Sequence, residues 1–372
     1  MLLSTIFWLC LLQQSPVAED LLHQSPLSDT GQKIRYSRTF GEDADFAGRG
    51  PAFTDNQDGT VTDQITGLIW QQSDGGEMTF ESAKDYASAL NLAGQSDWRL
   101  PNSAELFSIM DHGRHGPAMN TEFFTRSEAR YWWTHTARAD DSSKVWVVNT
   151  GGGIGAHAKL ESLSAGGDRP IHVRCVRGAS LFATEPILQR SENGMVTDIQ
   201  TGLIWQVAAP EQRMTWESAL EYCSQLRLGG HTDWRLPNIR ELRSLSNDQF
   251  VSPSLDPTFF SNARADACWS STTQANTPSR AWYVDFRYGL VTYSEKIELL
   301  HVRAVRGGVA VPGERSKPVP DIPLATDQKG RSDRNKQPAK KSRSSQPRNK
   351  RPPKAEQASA TTLQPPPRLL EE

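Results

Sequence analysis

The sequence contains only four cysteines, and none of them forms a CxxC pair. This excludes a disulfide-rich scaffold, a zinc ribbon and a thioredoxin-like redox site, and at most one disulfide is expected. The sequence also lacks a phosphate-binding glycine loop, a nucleophile elbow, an HExxH pair and a dinucleotide-binding glycine run. We therefore expect a protein without catalytic activity, cofactor or metal, and the remaining alternative is an enzyme with an unrecognised site.

No hydrophobic run is long enough to span a bilayer. The apolar run Met1–Leu12 instead has the length of the hydrophobic region of a secretory signal. We predict that residues 1–18 are a signal peptide cleaved near Ala18 and that the chain is exported. Residues 19–50 are polar and lack periodicity, so we predict a poorly ordered leader there.

The formal net charge of -2 conceals an uneven distribution of basic residues. Eleven Lys and Arg lie between Lys329 and Lys354, against the single acid Asp333. From Val311 onward there are almost no aromatic or β-branched residues, so the segment cannot bury enough apolar surface to fold. We predict that residues 310–372 are a disordered basic tail that binds polyanions by counterion release; a solvated linker without a partner is an equally good interpretation.

Internal repetition is the most prominent feature that the sequence does contain. The hexapeptide DWRLPN occurs at Asp97–Asn102 and again at Asp233–Asn238. A TGLIW segment and a helical pattern precede each copy, and a Phe pair, β-rich runs and a closing VRxVRG segment follow it in the same order. This ordered duplication predicts two α+β domains, 51–180 and 186–309, each with a twisted antiparallel sheet and two helices. We expect the two to fold independently.

For the hexapeptide itself we predict a structural role over ligand contact. The Trp is expected to anchor a core, the Arg to form an internal ion pair, and the Asn to cap the next helix in a capping box with the Glu three residues on. The residues given this role are Trp98, Arg99, Asn102, Glu105, Trp234, Arg235, Asn238 and Glu241.

A candidate binding surface follows the AW motif of the second unit. There the apolar residues Trp282, Val284 and Phe286 alternate with polar ones, so that one set can face the core and the other solvent. Tyr can stack on a sugar face while Arg and Asp hydrogen-bond to hydroxyl groups. The candidate ligand-binding residues are Tyr283, Asp285, Arg287 and Tyr293, and an ordinary exposed strand face is the alternative.

Two acidic or histidine-containing stretches could in principle bind a metal. The first contains Asp55, Asp58 and Asp63 around a glycine turn, and we favour a plain hairpin because the spacing does not fit a calcium loop. The second contains Asp111, His112 and His115, and we favour a solvated loop because of its many glycines.

The motifs, occurring in order twice over, resemble the Lcl C-terminal domain of exported bacterial proteins. The resemblance covers roughly residues 53–178 and 188–307. It implies a C-type lectin-like fold, a location in the periplasm or at the cell surface or outside the cell, no known catalysis, and recognition of a polysaccharide or another envelope component. The alternative is a structural or assembly subunit of the envelope that binds another protein.

The resemblance also bears on the cysteines. The family pattern places one Cys in the first helix and another in the closing strand of the same unit, and neither unit here keeps both. A disulfide between Cys223 and Cys268, or one between Cys223 and Cys175, remains open, as does the oligomeric state.

Overall fold

The computed structural model describes residues 27–308, apart from 47, 126, 161–170, 181–185, 192 and 261. The predicted signal peptide and basic tail therefore lie outside the described residues. The fold is α+β with more sheet than helix, as expected from the strand-rich pattern. Its C-type lectin-like character stays a prediction.

The first repeat begins with a ribbon of three short strands, continues through two helices and ends in longer strands. Its elements are β1 (Phe53–Asp55), β2 (Thr60–Asp63), β3 (Ile69–Gln71), α1 (Phe80–Ala89), α2 (Ser103–Ser108), β4 (Tyr131–Arg138), β5 (Asp141–Asn149), β6 (Ile154–Ala158), β7 (Ile171–His172) and β8 (Val176–Arg177).

The second repeat has the same order of ribbon, helices and long strands. Its elements are β9 (Leu188–Ser191), β10 (Met195–Asp198), β11 (Ile204–Gln206), α3 (Trp216–Gln225), α4 (Ile239–Ser244), β12 (Ala267–Thr273), β13 (Arg280–Asp285), β14 (Leu290–Glu295) and β15 (Val305–Arg306).

The long strands of both repeats form one seven-stranded sheet, in the order β12-β13-β14-β6-β5-β4-β7. The repeats join where Val291 on β14 pairs with Ile154 on β6, so equivalent strands meet edge to edge. Each ribbon forms its own four-stranded sheet, β1-β2-β3-β8 in the first repeat and β15-β11-β10-β9 in the second. Across most of the central sheet neighbouring strands are antiparallel, as predicted; β4 and β7 are parallel.

The repeats also share a hydrophobic core. One cluster of buried residues contains Trp70 and Trp146 of the first repeat together with Trp205 and Trp282 of the second. Two further clusters are confined to one repeat each, around Trp98 and Trp133 in the first and around Trp216, Trp234 and Trp269 in the second. Each repeat therefore buries part of its apolar surface against the other, which argues against the expected independent folding of the two domains.

The hexapeptide occupies equivalent places in the two repeats. The indole Nε1 of Trp98 donates to the carbonyl of Leu92 at 3.3 Å, and that of Trp234 donates to Leu228 at 3.2 Å. Asn102 and Asn238 each cap a helix in a complete capping box with the Glu three residues on. These bonds satisfy backbone amides that a short helix leaves without partners.

The structure differs from the expected poorly ordered leader over residues 27–46, which we call the strap. The Gln32 side chain accepts a hydrogen bond from the Thr273 amide at 3.0 Å and donates to the Thr273 carbonyl at 2.8 Å. The carbonyl of Thr30 accepts from the His112 amide at 2.8 Å. The strap is thus hydrogen-bonded to both repeats through polar groups, which is why apolar periodicity could not reveal it.

The cysteine prediction also needs correction. Cys175, Cys223 and Cys268 are all buried free thiols in the structure, so neither proposed disulfide is formed. Cys223 packs among the core residues of the second repeat, whereas Cys268 packs in the shared core. Each thiol therefore acts as a small apolar core side chain, and burial raises the pKa of Cys268 to about 12.

Candidate functional site: a cleft between the repeats

A cleft of about 230 Å³ lies where β6 of the first repeat meets β14 of the second. Its floor consists of buried residues from both repeats, including His112, Gln274 and Trp282. Its rim carries polar and aromatic residues with greater exposure, namely Arg114, His115, Asn149, Asn276 and Tyr293. Both repeats contribute residues to the floor and to the rim, so the complete cleft requires both.

Glycine and asparagine shape one wall of the cleft. Asn149 ends β5, and its Oδ1 accepts hydrogen bonds from the amides of Gly151 and Gly153 at 2.9 and 3.0 Å. A Cβ atom at Gly153 would lie 2.9 Å from the Val291 carbonyl, closer than real Cβ contacts allow. Glycine at this position therefore permits the close approach of β6 to β14.

His112 provides a neutral imidazole at the floor. Its Nε2 lies 3.0 Å from the carbonyl of Gly152, and because a carbonyl only accepts, Nε2 carries the proton. Nδ1 is then an acceptor, and within the described part of the chain it has no hydrogen-bond partner. Burial and the charge of Arg240 lower the pKa of His112 to about 3, so the ring stays neutral at physiological pH.

The burial of His112 corrects the expectation of a solvated loop for this stretch. Its ring packs edge-on against Phe107 and Trp282, with centroid separations of 5.3 and 5.2 Å. Gln274 is a second buried residue of the floor, and its Oε1 has no hydrogen-bond partner among the described residues. The cleft floor thus combines aromatic rings with two polar atoms that no described residue pairs with.

Tyr293 is the exposed aromatic residue of the rim, at 41% relative exposure. Its ring lies nearly perpendicular to that of Trp282, with centroids 5.5 Å apart, and the Arg280 guanidinium lies 5.5 Å from its centroid. Arg280 is itself held by Glu295 at 2.6 Å. These contacts fix a tyrosine ring at the edge of the cleft, an arrangement suited to stacking.

The four candidate ligand residues do not come together. Trp282 pairs with Tyr293 across β13 and β14, and Tyr283 pairs with Thr292, so Tyr283 and Tyr293 point to opposite faces of the sheet. Tyr283 packs against Trp269, with centroids 6.2 Å apart. The prediction that these residues form a single surface is therefore wrong for Tyr293. The side-chain alternation of the strands places Tyr293 on the face opposite to Tyr283.

The other two predicted residues lie at the end of β13: Asp285 is its last residue and pairs with Leu290 of β14, and Arg287 follows in the turn. The Asp285 carboxylate accepts a hydrogen bond from the Arg287 amide at 2.9 Å, within the turn between β13 and β14. Asp285 therefore stabilises the turn, and Arg287 is exposed there. Neither residue lines the cleft.

A comparison of the repeats could have pointed to the cleft. Counted from the motifs, His112 corresponds to Asp248 and Gln274 to Arg138. The motifs that the repeats share define the fold. The positions at which they differ include these two floor residues.

The two stretches considered for metal binding have other roles. Asp55, Asp58 and Asp63 each accept hydrogen bonds from backbone amides two residues on, as turn-forming aspartates do. β1 and β2 form the expected hairpin around them. Within the part of the chain that the structure describes, no group of three His, Cys, Asp or Glu could hold a metal ion.

The architecture defines a class of protein: a tandem duplication of an α+β domain whose copies share a sheet and a core and have a cleft between them. A family model described as the Lcl C-terminal domain matches residues 59–177 and 194–306. The chain therefore belongs to this family and carries its domain twice. A search of curated proteins gave no match. Among the described residues, no helix has the length and apolar character needed to cross a membrane.

Proposed function

We propose that this chain is a non-catalytic binding protein that recognises a polysaccharide in the cleft between its repeats. The observation that carries the proposal is the combination of the fixed, exposed Tyr293 ring with a buried floor containing Trp282, His112 and Gln274. Aromatic rings stack on the apolar faces of sugars, and amide, guanidinium and imidazole groups bond to hydroxyl groups. Concave sites with few convergent polar groups are typical of ligand binding.

The composition of the cleft supports binding over glycan hydrolysis. Hydrolysis of glycosidic bonds ordinarily requires a pair of carboxylic acids on either side of the bond. The described residues that line the cleft include Arg114 and two histidines but no Asp or Glu. We therefore propose that a bound sugar is held without being cleaved.

The positions in each repeat that correspond to His112 and Gln274 of the other repeat favour one binding site per chain. Asp248, which corresponds to His112, is bonded to Arg243 at 2.6 Å and to Ser103 at 2.5 Å. Arg138, which corresponds to Gln274, stacks over the ring of Tyr288 at 4.8 Å. The side chains of Asp248 and Arg138 are thus occupied by contacts within the protein. We therefore propose a stoichiometry of one sugar segment per chain.

Export to the periplasm or the cell surface of a bacterium belongs to the same proposal. Membership of the Lcl C-terminal domain family supports it, together with the apolar run at the start of the sequence. Polyanion binding by the tail also stays a prediction, since residues 310–372 lie beyond the described part of the chain. The tail is separate from the cleft proposal.

A glycan array with the full mature chain tests the function. Asn276→Trp places a bulky side chain on the exposed rim and should abolish binding to the glycans that the parent recognises. Ser279→Trp is the matched control, because Ser279 is exposed in the same loop but does not line the cleft. Absence of any glycan signal for the parent, or equal binding by both variants, would contradict the proposal.

A protein partner in the envelope is the second candidate function. The specific observation in its favour is a pair of exposed apolar side chains after β14, Ile297 at 79% and Leu299 at 55% relative exposure. Under this alternative, Ile297→Ser with Leu299→Ser should abolish capture of the partner from an envelope fraction. Under the glycan proposal the same double variant should bind glycans as the parent does.

A further inference from the structure

Both repeats bury an arginine at the same place in their closing segment. Arg174 and Arg303 are almost fully buried, and Nη1 of each donates to two consecutive backbone carbonyls at the end of β3 or β11, at 2.5 to 2.7 Å. Each guanidinium also lies over a phenylalanine ring, at 5.3 Å from Phe124 and 4.5 Å from Phe260. The two sites are therefore built alike.

In the first repeat, a carboxylate accompanies the arginine. Asp74 Oδ2 lies 4.0 Å from Arg174 Nη2, and it accepts a hydrogen bond from Trp132 Nε1 at 3.0 Å. Asp74 Oδ1 lies 3.1 Å from Nδ1 of His172. The buried positive charge thus has a nearby negative charge, as buried charges generally require.

In the second repeat, different residues stand at the positions of Asp74 and Trp132. Ala209 follows Trp205 at the same spacing at which Asp74 follows Trp70, so the carboxylate is absent. Cys268 stands where the first repeat has Trp132. A cavity of about 30 Å³ lies there, lined by Ala209, Cys268, His301 and Arg303 among others.

The neighbouring acidic residues leave a positive charge uncompensated. Asp266 is bonded to Arg213 and lies 3.4 Å from His301, and Arg264 lies 3.5 Å from Glu211. Of these groups, only Arg264 and Asp266 line the cavity together with Arg303, so the described lining holds two guanidinium groups against one carboxylate. Burial lowers the pKa of both Arg174 and Arg303 to about 10; Asp74 opposes this for Arg174, but no described carboxylate does so for Arg303.

We propose that this cavity binds a carboxylate group, which pairs with Arg303 as Asp74 pairs with Arg174. The volume suits a carboxylate or an acetate ion but not an entire sugar, since it is close to the space of one or two water molecules. A larger ligand could therefore insert only its carboxylate. The cavity shares no lining residue with the cleft, so the inference is independent of the proposed function.

Thermal unfolding of the full chain in acetate tests the site, with acetate replacing chloride at constant ionic strength and neutral pH. A ligand that binds only the folded state raises Tm, and we expect a saturable rise of about 2 to 4 °C. Galacturonate in a parallel series distinguishes a carboxylate on a sugar from a small free ion. A rise with either probe supports the site.

Three variants assign the effect to the cavity. Ala209→Asp restores the internal carboxylate and should raise Tm without acetate and remove the acetate response. Cys268→Trp fills the space as Trp132 does and should also remove the response, without adding charge. As the matched control, Asp74→Ala creates the same deficit in the first repeat, so it should lower Tm, and acetate should restore part of the loss.

Several outcomes would overturn the inference. The parent could show no rise in Tm with either acetate or galacturonate, or Ala209→Asp and Cys268→Trp could both keep the full rise. An equal rise with sulfate that Ala209→Asp removes would show that the ligand class is wrong. Because Cys268→Trp tests the same space by filling it, the experiment remains decisive if Ala209→Asp does not fold.

Discussion

The arginine of the DWRLPN motif forms the same ion pair in both repeats but at different depths. Arg99 bonds to Glu105 at 2.7 and 2.8 Å and keeps 34% of its side chain exposed. Arg235 bonds to Glu241 at 2.6 Å with both partners buried, and its guanidinium lies 5.4 Å from the ring of Phe46. The sequence motif is identical, so only the surroundings create the difference.

This difference predicts unequal costs for the same substitution. Glu241→Gln leaves Arg235 buried without its counter-charge, and we expect it to lower the free energy of unfolding by about 3–5 kcal/mol. Glu105→Gln is the matched control, and it should cost clearly less because water reaches Arg99. Urea unfolding of both variants measures the costs; equal costs would contradict the role assigned to burial.

The strap makes hydrogen bonds to residues that are far from it in the sequence, on β12. Asp43 on the strap is buried, and its Oδ2 accepts hydrogen bonds from Thr30 at 2.8 Å and from Thr272 of β12 at 2.5 Å. Burial raises the pKa of Asp43 to about 8, and the nearby Asp29 and Glu241 add to the effect. Asp43 is therefore protonated in the folded protein at neutral pH.

The raised pKa predicts that stability falls as the pH rises from about 4 to about 8. In this window folded Asp43 holds a proton that the unfolded chain has lost, so unfolding releases a proton and becomes more favourable at higher pH. Asp43→Asn removes this contribution and should melt above the parent at pH 8. The measurement is Tm of the parent and of Asp43→Asn at pH 5 and pH 8. The prediction is refuted if the change in Tm between the two pH values is the same for both proteins.

The sequence predicted best those elements that are stabilised by residues close to them in the chain. Thr79 and Thr215 accept hydrogen bonds from the amides of Ser82 and Ser218 and so cap α1 and α3, the helices predicted before each copy of DWRLPN. The strap could not be predicted in this way, because Gln32 acquires its partner Thr273 only when the chain has folded. The lack of periodicity in a polar segment therefore did not mean a lack of structure.

On the scale of the whole molecule, the repeats behave as two halves of one body. Trp146 and Trp282 occupy equivalent strands, yet both are buried in the one core that the repeats share. The duplicated motifs reveal the two copies, but a motif that both copies share carries no information about the surface between them. For the same reason, the shared motifs could not predict the cleft between the repeats.

The shared core predicts that the described body unfolds in one transition. Separate expression of residues 51–180 or 186–309 exposes apolar surface that the partner repeat covers, so each half should melt well below the full chain or fail to fold. Calorimetry of the full chain and of both halves provides the test. Two resolved transitions, or halves with the melting temperature of the full chain, would mean that the repeats are independent after all.

The central claim is that ligand binding occurs in the cleft and not on the opposite face of the sheet. Calorimetric titration with a glycan selected on the array tests this directly, using Tyr293→Ala and, as the matched control one strand away, Tyr283→Ala. We predict that Tyr293→Ala raises Kd at least tenfold, on the order of 1.4 kcal/mol, because it removes the stacking ring. Tyr283→Ala should leave Kd unchanged, and the claim is contradicted if Tyr283→Ala weakens binding while Tyr293→Ala does not.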